Sequence, residues 1–118
     1  MPIYAIEIRN NTNIRLYKNF VSYAFDNLFP QSIEPQHVER IIVTIVDVGN
    51  QDILLGYRSE AQKDVGFNGE GRFQNGILIN YGLTNLPKNQ ILGIRGEIDE
   101  LQADQQVVGG LAFTLDYM

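Results

Sequence analysis

Apolar residues recur at every second position along most of the chain. That spacing puts one face of a β-strand against a core and the other in water. Tyr4, Ile6 and Ile8 share one face of a first strand, while Glu7 and Arg9 point the other way. Asn10 to Asn13 reads as a turn, because asparagine tolerates tight-turn conformations. Ile14, Leu16, Tyr17, Phe20, Val21, Tyr23 and Phe25 make a second run. Its phase slips at Lys18-Asn19, which predicts a bulge or bend. Tyr17 and Tyr23 fall off the Ile14/Leu16 face and are expected to be exposed. Residues 26–40 (DNLFPQSIEPQHVER) form a connection, since Pro30 and Pro35 cannot donate to a ladder. Only residues 34–41 leave room for a short helical turn.

The run Ile41 to Val48 (IIVTIVDV) is nearly all β-branched. It predicts a central strand buried on both faces, with Ile45 and Val46 in the core on opposite sides. Gly49-Asn50-Gln51 predicts a short hairpin loop into a strand carrying Ile53, Leu55 and Tyr57. Residues 61–76 (AQKDVGFNGEGRFQNG) read as irregular and glycine-rich, with a turn at GFNGEG bracketed by Phe67 and Phe73 and, as the alternative, a further strand pair ending near Phe73. Positive backbone torsions are expected there at Gly69 or Gly71. Strands follow at 77–83 and 91–99. In a last segment Val107, Leu111, Phe113, Leu115 and Tyr117 share one side. Seven or eight mainly antiparallel strands at this spacing predict an all-β, single-domain β-sandwich, jelly-roll-like, over residues 1–118.

Composition narrows the function. A chain of 118 residues with 44% hydrophobic content fits one domain with one core. It has no cysteine, so disulfides, thiolate metal sites and cysteine nucleophiles are excluded. Net charge is −5, and the six arginines are scattered among only three lysines. Nucleic acid is therefore not an expected partner, because phosphate binding needs a basic patch. The start, MPIYAIEIRNNTN, has neither the basic region nor the apolar run of a signal peptide, and no stretch has the length of a transmembrane segment. Cytoplasmic synthesis, with any release by a leaderless route, is the expectation.

Candidate chemistry is sparse. His37 is the only histidine, and no G-x-S-x-G motif offers it a nucleophile. One histidine without cysteine makes no ordinary zinc site. The acidic stretches KDVGFNGEG and IDELQAD lack the spacing of a calcium loop, and GFNGEG is not the phosphate fingerprint. No cofactor is expected. These exclusions leave a non-enzymatic binding module, lectin-like or lipid-binding, acting through loops 26–40, 64–75 and 84–90. Asn68, Glu70 and Arg72 place an amide, a carboxylate and a guanidinium within five residues, with Tyr23 or Phe29 supplying an apolar face. The partner expected is a glycan or a lipid headgroup. The alternative is a self-assembling structural subunit of a phage, capsid or filament, a homo-oligomer. Low lysine content fits that reading, since lysine is depleted at interfaces.

The opening IEIRNNTNIRL, followed by FPQSIEP, resembles the small β-sandwich cytolysins and lectins of the aegerolysin and actinoporin-like groups. There, too, a first strand ending in asparagine leads to a second strand and then a proline-bounded loop. The likeness covers the first 48 residues. It implies a leaderless, acidic protein that binds lipid headgroups or glycans through loops. The chain lacks the tryptophan that those families commonly use at lipid or sugar sites.

Overall fold

A computed structural model describes residues 1–118. Nine strands form two packed sheets: β1 (Ile3–Asn10), β2 (Leu16–Val21), β3 (Ser32–Ile33), β4 (His37–Thr44), β5 (Asn50–Ser59), β6 (Gly66–Gln74), β7 (Ile77–Asn85), β8 (Ile94–Leu101) and β9 (Gly110–Tyr117). The sheets run β4-β1-β9-β8 and β3-β2-β5-β6-β7. Every pairing is antiparallel except β1 with β9. The chain is thus an all-β sandwich. The strand beyond the expected seven or eight is β3, two residues long and invisible to any periodicity. The only helical segments are 3₁₀ turns at Asp26–Leu28 and Pro87–Asn89, not at 34–41. No helix is long and apolar enough to cross a membrane.

The core is built from the inward positions of both sheets. Ile6, Ile8, Phe113 and Leu115 face Ile53, Leu55, Tyr57 and Phe67. Phe67 stacks on Phe113 with ring centroids 5.9 Å apart. The phase slip in the second run is a register shift between Lys18 and Phe20, as its pattern predicts. Tyr23 stands fully in solvent, and Tyr17 is half-buried.

Three expectations change. The β-branched run is not central. Residues 41–44 end the edge strand β4, and only Ile41, Val43 and Ile45 are buried, while Ile42 and Val46 are half-buried. An edge strand with one face outward accepts β-branched residues as well as a central one does, so composition did not fix its place. Gly49 does not turn a hairpin either. Residues 45–49 carry the chain from one sheet to the other, with Gly49 at φ +86°. Asn75 pins that crossing: its side chain accepts the Gly49 N–H at 2.8 Å, and its own N–H donates to Gly49 O at 2.9 Å. The stretch 66–74 is no turn but the strand β6, between β5 and β7, with one register shift against β7 between Arg72 and Phe73. The actual turn is Asn75-Gly76, both at positive φ, the residue pair that two-residue hairpins favour.

Gly69 and Gly71 keep ordinary negative torsions and serve packing instead. A Cβ at Gly69 would overlap the Phe113 ring, and one at Gly71 would come within 2.9 Å of Leu111 Cδ1. The bare backbone of β6 is what lets the opposite sheet's side chains fit.

Two polar devices fasten the connections to the sheets. Asn10, fully buried, donates to Ile14 O, Ile33 O and Glu34 O and accepts from the Thr12 N–H and hydroxyl. Asn10 and Thr12 thus form a buried, satisfied polar pair, while Asn11 and Asn13 of the same turn face solvent. Along the β2 side of the sandwich the nearly buried Lys18 ammonium holds Asp26 Oδ1 and Asp26 O at 3.0 Å each and Phe29 O at 3.3 Å. On the outer face of the four-stranded sheet, Glu7 bridges Arg9 and Arg40, and Arg40 continues to Asp104. Burial acts to raise the Glu7 pKa, but the hydrogen bonds from Arg9 and Arg40 outweigh it and hold the carboxyl below its ordinary value.

Two measurements follow from this arrangement. In urea unfolding, Ile41→Ala should cost about 2–5 kcal/mol through lost burial and a cavity. Ile42→Ala, its outward neighbour, should cost about 1 kcal/mol or less. Equal losses would contradict the outward placement of Ile42. Because the folded Glu7 pKa is depressed, its stabilising contribution is complete above the ordinary value of 4.5 and is lost as pH falls through the lower folded value. Glu7→Gln should therefore be less stable than wild type near neutrality, with the gap closing in acid. A gap that is constant with pH would contradict the network.

Candidate ligand-binding face

The register of the five-stranded sheet decides which polar groups converge. Side chains alternate along β6, so Phe67, Gly69, Gly71 and Phe73 turn inward and Asn68, Glu70 and Arg72 turn outward. Across the ladder Asn68 lies between Gly56 and Thr84, Glu70 between Leu54 and Gly82, and Arg72 between Asp52 and Asn80. The three candidate residues do come together. They stand in a row on an open sheet face, not at a loop tip.

The charges in this row are largely satisfied among themselves. Arg72 binds Asp52 Oδ2 at 2.7 Å and Glu70 Oε2 at 2.9 Å. Arg58, on β5, donates to Tyr57 O, Phe67 O and Asn68 Oδ1 at 3.1, 2.9 and 2.7 Å. Burial pulls the Arg58 pKa down, yet these three acceptors hold the guanidinium against the sheet. Arg72 is paired with two carboxylates, whereas Arg58 forms no ion pair and turns its N–H groups to neutral acceptors of the sheet. Asn68 keeps its amide nitrogen and Glu70 its Oε1 for an outside partner.

Beside this row the sheet is hollowed. At Gly82 a Cβ would meet only Glu70, with Oε1 at 3.6 Å and Cγ at 3.9 Å, so the missing side chain leaves open space above β7. The resulting depression holds about 320 Å³. Asn68, Glu70 and Thr84 give it polar walls, and Phe20 and Leu54 give it apolar ones. Phe20 leans across β5 because position 56 is glycine; a Cβ there would collide with its ring. The ring remains 39% exposed at the rim.

The two aromatic candidates differ. Phe29 is buried, 3% exposed, under the turn that Lys18 holds, so it has no surface to offer. Its proline-bounded setting suggested a loop tip, but the segment folds back over the core. Tyr23 is 99% exposed. The preceding Ser22 bonds to Leu54 and Asp52, which sets Tyr23 at the Asp52–Arg72 end of the same sheet. Phe20, Leu54, Gly82 and Thr84 were not among the sequence candidates. Their signal exists only once the register is known, since they come from three different strands. His37 is exposed at the start of β4, with Nδ1 2.8 Å from Pro35 O. No three acidic or histidine side chains converge closely enough to hold a metal ion.

No protein-family model matches the chain, and no curated protein matches its sequence. Any reading of the depression therefore rests on its own chemistry.

Proposed function

We propose that the chain is a non-enzymatic binding module that takes a neutral, polyhydroxylated ligand, a glycan, on the outer face of its five-stranded sheet. The observation that carries this reading is the depression above Gly82, with its mixed walls. A sugar ring presents hydroxyl groups along its edge and C–H groups on its face. Asn68, Glu70 and Thr84 together can donate to and accept from hydroxyls. Phe20 and Leu54 supply the apolar surface for the C–H face. The groups lie on paired strands, so they are held in place before the ligand arrives, which lowers the entropy cost of binding.

Charge separates the glycan from the lipid headgroup. A phosphate needs a cation, and both arginines of this face are already engaged by protein acceptors. The net charge of −5 works in the same direction. The site thus differs from the loop-borne one expected from sequence: Asn68 and Glu70 stay in it, Arg72 orients Glu70, Tyr23 stands at its margin, and Phe20 takes the place given to Phe29.

A glycan array followed by calorimetry on the best neutral ligand tests this. Glu70→Ala should weaken binding about tenfold or more, since a hydrogen bond to a charged group contributes about 1.5–3 kcal/mol. Gly82→Val should abolish binding by filling the depression. It should leave the melting temperature unchanged or raised, because its Cβ has room and valine suits a strand. Binding that survives Gly82→Val moves the ligand elsewhere. Flotation with anionic liposomes and silence on the array would overturn the glycan reading in favour of a headgroup.

A further inference from the structure

The two arginines of the outer face fix the polarity of the groups beside them, because a guanidinium can only donate. Arg58 Nη2 donates to Asn68 Oδ1 at 2.7 Å, so the Asn68 amide turns its oxygen to Arg58 and keeps its nitrogen as a donor. Arg72 Nη2 donates to Glu70 Oε2 at 2.9 Å, which leaves Glu70 Oε1 as an acceptor. Neither Asn68 Nδ2 nor Glu70 Oε1 has a partner within the chain, and both residues line the depression. One donor and one acceptor thus stand on residues of the same strand face, about 6.6 Å apart along β6. The flanks of this pair differ. On one side Leu54 of β5 lies opposite Glu70, and the Phe20 ring of β2 leans over Gly56, opposite Asn68. On the other side β7 brings Gly82 and Thr84, with the hollow above Gly82.

We propose, resting on the glycan reading of this face, that the ligand is an N-acetylated hexosamine whose acetamido group lies across β6 between Asn68 and Glu70. A planar trans amide points its N–H and C=O in opposite directions, and its two carbon substituents extend across that line. Bonding it from both sides takes two hydrogen bonds of about 2.9 Å each plus the width of the amide. That span is within reach of two side chains set about 6.6 Å apart. Glu70 then accepts the acetamido N–H, and Asn68 donates to the acetamido oxygen. The acetyl methyl extends towards Leu54 and Phe20 and enlarges the apolar surface that the ligand offers them. The sugar ring extends the other way, into the hollow at Gly82, where Thr84 meets a ring hydroxyl. Each direction from the amide therefore meets a group of matching chemistry. Two neighbouring hydroxyls can bridge the same donor and acceptor, yet they bring no methyl group to Leu54 and Phe20. A free amine satisfies Glu70 but has no acceptor for Asn68.

NMR titration of the full chain with methyl glycosides tests this. The probes are those of N-acetylglucosamine and N-acetylgalactosamine, of the parent sugars glucose and galactose, and of the two free amines. At least one N-acetyl sugar should shift the Asn68 side-chain amide signal. It should bind about tenfold or more tightly than its parent sugar and its amine, the worth of one hydrogen bond to a charged group. Saturation transferred from the protein should be strongest at the acetyl methyl. Asn68→Asp keeps an acceptor for Arg58 and removes the donor, so it should fold normally and abolish the preference for the acetylated sugar. Leu54→Ala, which leaves both polar partners in place, should lower that preference too and guards against a folding defect in the first variant. A parent sugar or amine that binds as tightly, a weak signal at the acetyl methyl, or a preference that survives Asn68→Asp would each overturn the proposal. If a glycan array then shows neutral ligands without an acetamido group, the sheet-face reading stands and only the acetamido assignment falls. Silence with every sugar, in the titration and on the array, removes both.

Discussion

The Phe113 ring lies directly on the backbone of Gly69, and much of the structure depends on that contact. β9 and β6 belong to opposite sheets, and at this point no side chain separates ring from main chain. Phe113 also stacks on Phe67, which in turn stacks on Tyr57 with centroids 6.3 Å apart. A layer of aromatic rings thus fills the middle of the sandwich. Interiors pack at crystal-like density, so a ring of this size needs a matching absence opposite. Gly69 supplies it, and Gly71 repeats the arrangement under Leu111.

The same constraint builds the outer face. Once Gly69 and Gly71 must point inward, the alternation of the strand forces Asn68, Glu70 and Arg72 outward in a row. β5 and β7 then flank them on a rigid floor, with Asp52 steadying Arg72 and Arg72 steadying Glu70. On the neighbouring strand β7, glycine has the opposite effect. Gly82 faces solvent, and its missing side chain makes the hollow that the polar row borders. Inward glycines admit a ring from within, and an outward glycine leaves room for a ligand from without.

Much of the fold could be read from the chain because period-two alternation is a local property. Tyr4, Ile6 and Ile8, and later Leu111, Phe113 and Leu115, announce their faces without help from distant residues, and the slip at Lys18 announces its bulge. The order of strands could not be read that way. Whether Ile41–Thr44 is central or peripheral depends on which strands cover it, and β1 covers it on one side only. Gly66 to Phe73 misleads for a related reason. Glycines and polar residues around two phenylalanines look like a turn until Leu111 and Phe113, about forty positions later, explain Gly71 and Gly69. Asn75-Gly76 carried the real turn signal beside it. At the candidate site, Asn68, Glu70 and Arg72 were identifiable by chemistry alone. Phe20, Leu54 and Thr84 reach the same hollow only through the pairing of four strands.

A double-mutant cycle on Gly69→Ala and Phe113→Leu, followed by denaturant unfolding, tests the central contact most directly. Adding a methyl group under the ring should cost about 1–3 kcal/mol in the wild-type background, as overpacking does. With Phe113 shortened to leucine the obstruction is gone, and the same alanine should cost little or become favourable. A coupling of about 0.5–3 kcal/mol between the two positions is the predicted result. Additive losses would mean that ring and glycine do not meet, and both the packing of β6 and the outward row built on it would then be wrong.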